Sequence, residues 1–347
     1  SDLARFGLIA LFPFITTVWQ VYAAVFAVNC LTAFFTPAYE ASLPEVVGED
    51  DYVQALSYSR VAVDVEAIAG PALAGMLIAF MSLRWVFWFD AITYLISAAL
   101  VMSVNLPRRT KPATDQVRAT ASFWREITYG TRILLRNAAI RQALLLSLAE
   151  AAAGACAIVV TVAYVRDVLG GADAQFSIMM ACVGLGSAAT ALVVGRMRKA
   201  DAHGSDAGEL HASRHRWAAV SLLVGGVILS VSVLPGVLNP PLIVFGLLWI
   251  SNGAGQALIA IPSSTLVAIH TSNDERGRAF AAHFAITHAC WLIAYPVTGR
   301  LASVLGPQIS FTSCGVACAL ITAVAWWMGG RPAGTGARPS MSIEVTG

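Results

Sequence analysis

The chain has 347 residues, of which 57% are hydrophobic and 12% charged, with a formal net charge of +2 and a mean hydropathy of +0.70. Soluble domains carry roughly a quarter charged residues, and half that share cannot cover the surface of a water-soluble protein of this length. The balance excludes a soluble enzyme or nucleic-acid-binding domain and points to an all-α integral membrane protein.

Apolar stretches of about 20 residues, the length that crosses a bilayer as a helix, recur along the chain. Their spacing predicts ten spans, at 3–18, 20–38, 54–80, 84–105, 139–163, 174–195, 217–234, 242–262, 279–299 and 309–328. Arg84, Arg166 and Arg300 fall on one side of this layout and the other basic residues crowd the opposite side. The positive-inside rule makes that second side cytoplasmic. All six cysteines lie within predicted spans and no CxxC pair occurs, which suits small buried hydrophobes better than disulfides or metal ligands.

In chain order, the first residue of interest is Asn29 in the second span. The third span carries "VDVEAIAGPALAG" (63–75), with Asp64 and Glu66 in an apolar run. Two residues apart on a helix means about 200° of rotation, so these acids cannot share a face. Arg60, four residues before Asp64, can pair with it on one stripe. Two readings stand side by side: a structural ion pair that latches a gate, or a carboxylate that takes up and releases protons. Gly70, Pro71 and Gly75 follow. The proline removes a backbone hydrogen bond and bends the helix, and the glycines allow a partner helix to come close. Asp90, in the fourth span, is expected to pair with Arg84 at the outer rim.

The stretch between Leu106 and Gln142 holds eight basic residues against Asp115 and Glu126. Within it "SFWREITYGTRILLRN" (122–137) reads as an amphipathic helix on the cytoplasmic surface or as a solvated linker helix. The chain divides here into residues 1–106, a basic loop 107–138, a six-helix half 139–328 and a Gly/Pro/Ser-rich tail 329–347, expected to be disordered. Glu150 lies mid-span among small residues with no basic residue within a turn, which makes it a candidate proton carrier. The loop 196–216, with three histidines and three acids, reads as solvated. Asn252 and Gln256 share a helix face and can orient a substrate or bond to neighbouring helices. His283 and His288 are about 140° apart, too far round one helix to chelate a metal together. No metal site and no cofactor are expected, and no nucleotide-binding P-loop is present.

The two sides of the basic loop also resemble each other. "FFTPAYEASLPEVVGED" (34–50), shifted by 225 residues, meets "IAIPSSTLVAIHTSNDE" (259–275), so Pro37 falls on Pro262 and Glu49–Asp50 on Asp274–Glu275. At the same shift Pro71 meets Pro296. This is the mark of a duplicated membrane unit.

"FFTPAYEASLPEVV", "IAGPALAGMLIAF", "NLPRR" (105–109) and "DERGRAF" (274–280) together give a chain that resembles the major facilitator superfamily, closest to the drug:proton antiporter-3 branch with its enterobactin and macrolide exporters. The resemblance runs to about residue 328 and implies twelve helices in two halves. Four spans precede the central loop and six follow it, so the chain is expected to lack its first two helices and with them the family's Gly-Asp-Arg loop. The second-half counterpart of that loop, near "VGRMRKADAHG" (194–204), is degenerate. "GPALAG" resembles the antiporter motif of the fifth helix, and Glu150, Asn29, Asn252 and Gln256 would line the central cavity by the same resemblance. "HFAITHACWLIAYPVTGRLAS" (283–303) is similar to a sub-branch of permeases, some of whose relatives export nickel or cobalt.

The expectation is therefore a multi-pass, monomeric inner-membrane transporter that exports a small molecule (a drug, siderophore or metabolite) against protons by alternating access. Its partners are that small molecule, protons and the lipid bilayer, with no nucleic acid. Arg60, Asp64, Glu66 and Glu150 are the coupling or gating candidates. Asn29, Asn252, Gln256, His283 and His288 are the substrate-cavity candidates. The alternatives are divalent-metal efflux, a membrane-embedded enzyme, and a non-transporting sensor.

Overall fold

The computed structural model describes residues 2–103, 123–171, 173–202 and 207–329, which are helical throughout apart from short turns. We number the helices α1 (Asp2–Leu11), α2 (Val18–Phe80), α3 (Leu83–Ser103), α4 (Phe123–Arg136), α5 (Ala138–Val168), α6 (Asp173–Ala202), α7 (Ala207–Val233), α8 (Leu242–Ile269), α9 (Asn273–Leu305) and α10 (Pro307–Gly329). Among the described residues, eight helical stretches are long and apolar enough to cross a bilayer. The remaining two expected spans, 3–18 and 54–80, correspond to the short α1 and to the part of α2 beyond Gly48. Large apolar side chains such as Trp19, Ile243 and Leu292 are more than 70% exposed. Such a coat is stable against lipid and not against water.

The expected loop between the second and third spans is nearly all helix. Backbone angles in α2 leave the helical region at Gly48, with φ 79° and ψ 165°. That conformation suits a residue without Cβ. The chain folds back there, and Tyr39 Oη and Ser59 Oγ hydrogen-bond across the hairpin at 2.9 Å. The repeat partner of Gly48 is Asn273, the first residue of α9. Both acidic pairs of the repeat thus open the second arm of a helical hairpin. α6 and α7 likewise extend into the expected solvated loop 196–216. Its His203 and Asp206 lie outside the described residues, as do the basic stretch 104–122 and the tail from 330.

Close packing rests on small residues. A Cβ on Gly253 of α8 would fall on the Val183 carbonyl oxygen of α6, and one on Gly186 of α6 would fall on the Ile250 carbonyl oxygen of α8. One face round, a Cβ on Gly225 of α7 would stand 2.9 Å from the Gly255 carbonyl oxygen. The stretch "SNGAGQ" therefore lies between two neighbours at near backbone contact, the usual membrane solution. In α5, two π-helical turns, Cys156–Val160 and Tyr164–Val168, interrupt the α-pattern. All six cysteines are free. Cys318 Sγ of α10 donates to the Ala149 carbonyl of α5 at 3.4 Å inside the bundle.

Candidate functional site

The basic end of the molecule is held together first. Lys199 Nζ of α6 lies 3.2 Å from Asp51 Oδ1, just past the Gly48 turn. The buried Tyr52 donates to the Ser264 carbonyl of α8 at 3.3 Å. α4 docks on α9, where Tyr129 Oη donates to Glu275 and the Arg278 guanidinium sits 4.6 Å from the Tyr129 ring centre. The helical reading of 122–137 thus holds, and its inner face packs against protein. Arg84, Arg166 and Arg300 stand at the other ends of their helices, in accord with the charge layout of the sequence.

One stripe leads inward from this end. α2 beyond Gly48 runs antiparallel to α6, with Asp51 by Lys199 and Ser57 Cβ 2.8 Å from where a Cβ on Gly195 would stand. Farther along, Arg60 Nε donates to Ser187 Oγ at 2.9 Å and lies 3.4 Å from Asp64 Oδ1. The i,i+4 spacing thus forms the expected ion pair. Ser187 is the partner that spacing within one helix could not find. Asp64 is 6% exposed, and its Oδ2 accepts no hydrogen bond from a described residue.

Glu150, in α5, is 9% exposed; the Arg60 charge acts on it, but no ion pair joins the two among the described residues. Its small neighbours do what small residues allow. A Cβ on Gly154 would overlap the Trp291 ring of α9, and Ala151 and Ala155 pack with Ala294. α9 thereby comes close enough for Cys290 to pack against the same small cluster. Arg60, Asp64 and Ser187 form one charged locus drawn from α2 and α6, and Glu150 of α5 is a second buried acid subject to the Arg60 charge. This arrangement can hold an ion pair, exchange one carboxylate partner for another, or carry a proton between states.

The other candidates part company from it. Glu66 is exposed and acts on Asp90 of α3, so it does not join Arg60. Asp90 in turn makes no ion pair with Arg84 among the described residues. Asn29 is exposed and donates to the Val25 carbonyl of its own helix at 2.9 Å. Gln256 donates to Asn252 Oδ1 at 2.8 Å and Asn252 to Ser232 Oγ of α7 at 3.2 Å. Asn252 is thus tied to α7, while Gln256 bonds within its own helix, and both amides are buried. His283 is 7% exposed and its Nε2 has no hydrogen-bond partner among the described residues, whereas His288 is exposed, stacked on Phe284 at 3.7 Å. Among the described residues no three His, Cys, Asp or Glu side chains are grouped to hold a metal ion. Gly70 is helical, and among the described residues a Cβ there would meet nothing within 4 Å. Pro71 and Gly75 are also in helical backbone; their packing lies outside the described residues.

Sequence reasoning passed over a second buried charge cluster. Arg5 pairs with Asp2 at 3.4 Å, Ser97 Oγ donates to Asp2 Oδ2 at 2.9 Å, and the guanidinium lies 4.9 Å from the Phe35 ring centre and 5.8 Å from that of Tyr94. The i,i+3 spacing of an acid and a base at the start of the first span was the available signal.

Comparison with known proteins follows the same lines. A family model described as Major Facilitator Superfamily matches over residues 3–200 and again over 144–344. The uncharacterized MFS-type transporter YfiS of Bacillus subtilis (strain 168) is 25% identical over 330 residues, 92% of this chain and 74% of that protein. Macrolide efflux protein A of Enterococcus faecalis is 29% identical over 121 residues, 35% of this chain and 36% of that one. The fold is similar to that of the E. coli fucose:proton symporter FucP, with a TM-score of 0.62 at 15% identity over 94% of this chain and 83% of that one.

Proposed function

The chain belongs to the Major Facilitator Superfamily, a family of membrane transporters, and from that premise we propose that it exports a small molecule across the inner membrane in exchange for protons. It works by alternating access, as an antiporter of the drug:proton antiporter-3 kind. The observation that carries this reading is the locus of Arg60, Asp64 and Glu150. Asp64 is paired with Arg60, and Glu150, buried on another helix, is subject to the same guanidinium charge, inside a membrane-spanning bundle where each charge is expensive to keep. Protonating one acid releases Arg60 to the other, so that proton uptake and helix movement are linked. The partial likeness to macrolide efflux proteins supports export and a drug-like or metabolite cargo. Asn252, backed by Gln256 of its own helix, holds α8 to α7, which leaves substrate contact to the α5–α9 side.

The residues before the basic loop act as one moving half and those from 139 to 328 as the other, with the basic end closed by Asp51–Lys199 and Tyr52–Ser264. The test is flux in proteoliposomes under an imposed pH gradient, with a macrolide as probe cargo. Glu150→Gln is expected to abolish gradient-driven flux while expression and melting temperature persist. Wild-type flux in Glu150→Gln would remove that carboxylate from the coupling. A wild-type chain that accumulates cargo equally with and without the gradient would sink proton coupling itself.

A further inference from the structure

The basic end carries a charged face that the transport reading does not use. Its inner side is fixed: Ile133 and Leu134 of α4 are 9% and 0% exposed, and Tyr129 is held by Glu275 and covered by Arg278. The outer side presents Arg132, Leu135 and Arg136. Arg132 and Arg136 are four residues apart, so their guanidinium groups leave adjacent turns of one face. Like charges at that spacing repel, and among the described residues no carboxylate pairs with either arginine.

The position of this face decides what can compensate it. Asn137 Oδ1 accepts the amide hydrogens of Ala139 and Ile140 at 2.8 and 3.3 Å. That cap starts α5, so α4 ends where the chain enters the bilayer. Arg141, in the first turn of α5, reaches back to donate to the Leu135 carbonyl at 2.8 Å. Three arginines thus gather at the membrane entry point. Leu135, 48% exposed between two of them, is poorly placed in water. It is well placed at the boundary of headgroups and acyl chains, where an apolar side chain dips and its charged neighbours stay level with phosphate.

We propose that Arg132 and Arg136, with Arg141 behind them, bind the phosphodiester headgroup of an anionic phospholipid in the leaflet at the basic end. The planar guanidinium fork matches two phosphate oxygens, and the cytoplasmic leaflet supplies anionic lipid beside a basic juxtamembrane segment. The bound lipid relieves the repulsion between the two arginines and pins α4 to the membrane surface. The inference stands apart from the transport reading, since its test does not measure flux.

The experiment is native mass spectrometry of the full chain in detergent, titrated with short-chain phosphatidylglycerol or phosphatidylcholine. Phosphatidylglycerol is expected to bind more tightly. At about fivefold per basic residue, the double variant Arg132→Gln, Arg136→Gln is expected to lose roughly 25-fold in its affinity. Arg132→Lys with Arg136→Lys keeps most of the affinity, which a folding defect would not allow. Arg300→Gln, at the far end, keeps all of it. Equal affinity for the two lipids overturns the proposal, as does an unchanged double variant. Inorganic phosphate that competes as well as phosphatidylglycerol would make the occupant a free anion and overturn the headgroup assignment.

Discussion

Arg60 shows how far a single residue can be read in advance. Its pairing with Asp64 follows from i,i+4 geometry alone, because side chains four apart on a helix meet whatever surrounds them. Its bond to Ser187 and its reach to Glu150 depend on which helices are neighbours, and no local pattern carries that. The same limit explains Asn29. Its place in a helix expected to line the cavity said nothing of rotation about that helix, and the side chain turns back to its own backbone. The buried pair makes a definite prediction. Arg60→Gln strands a carboxylate that is 8% exposed at the side chain, a situation that costs about 3 kcal/mol. Its melting temperature in detergent is expected to fall, and adding Asp64→Asn is expected to restore most of the loss. A double variant no more stable than Arg60→Gln would show that the pair is not what holds this site.

At the scale of elements, the glycines separate into kinds that the sequence presents alike. Gly48 has open space where a Cβ would stand, yet its φ of 79° is closed to most L-residues. Gly48→Ala is therefore expected to cost about 1–3 kcal/mol through the backbone alone. Gly253 is helical and lies against the Val183 carbonyl of α6, so Gly253→Ala must push two helices apart, at about 1–3 kcal/mol. Gly70 is helical and a Cβ there meets nothing among the described residues, so Gly70→Ala is expected to raise stability by up to about 1 kcal/mol. Thermal melts of the three variants in one detergent check the order, and a destabilised Gly70→Ala would expose a contact at that position. Helix existence was legible because runs of about 20 apolar residues admit little else. Helix ends were less so. The polar run "YEASLPEVVGEDD" resembles a loop by composition, but its residues continue the helix and a single glycine makes the turn. The π-turns of α5 have no compositional signal at all.

For the whole molecule, the topology read from charge and the structure agree on which ends lie together, since Asp51–Lys199, Tyr52–Ser264 and Tyr129–Glu275 all stand at the basic end. If the halves rock about the central locus, that end must open in every cycle. With the native cysteines replaced, Asp51→Cys with Lys199→Cys is expected to be cross-linked by oxidation, to lose transport, and to regain it on reduction. Full transport while cross-linked would mean that this end does not open. The docking of α4 has a consequence for how the chain can be made. The helix that follows the basic stretch packs on α9, the last helix but one, so it belongs with the residues after it. A gene cut between the codons for Ser103 and Phe123 would therefore leave α4 on one polypeptide with α9, and the α2–α6 contact would join the two fragments. Co-expressed as two polypeptides, the fragments are expected to find each other in the membrane and complement.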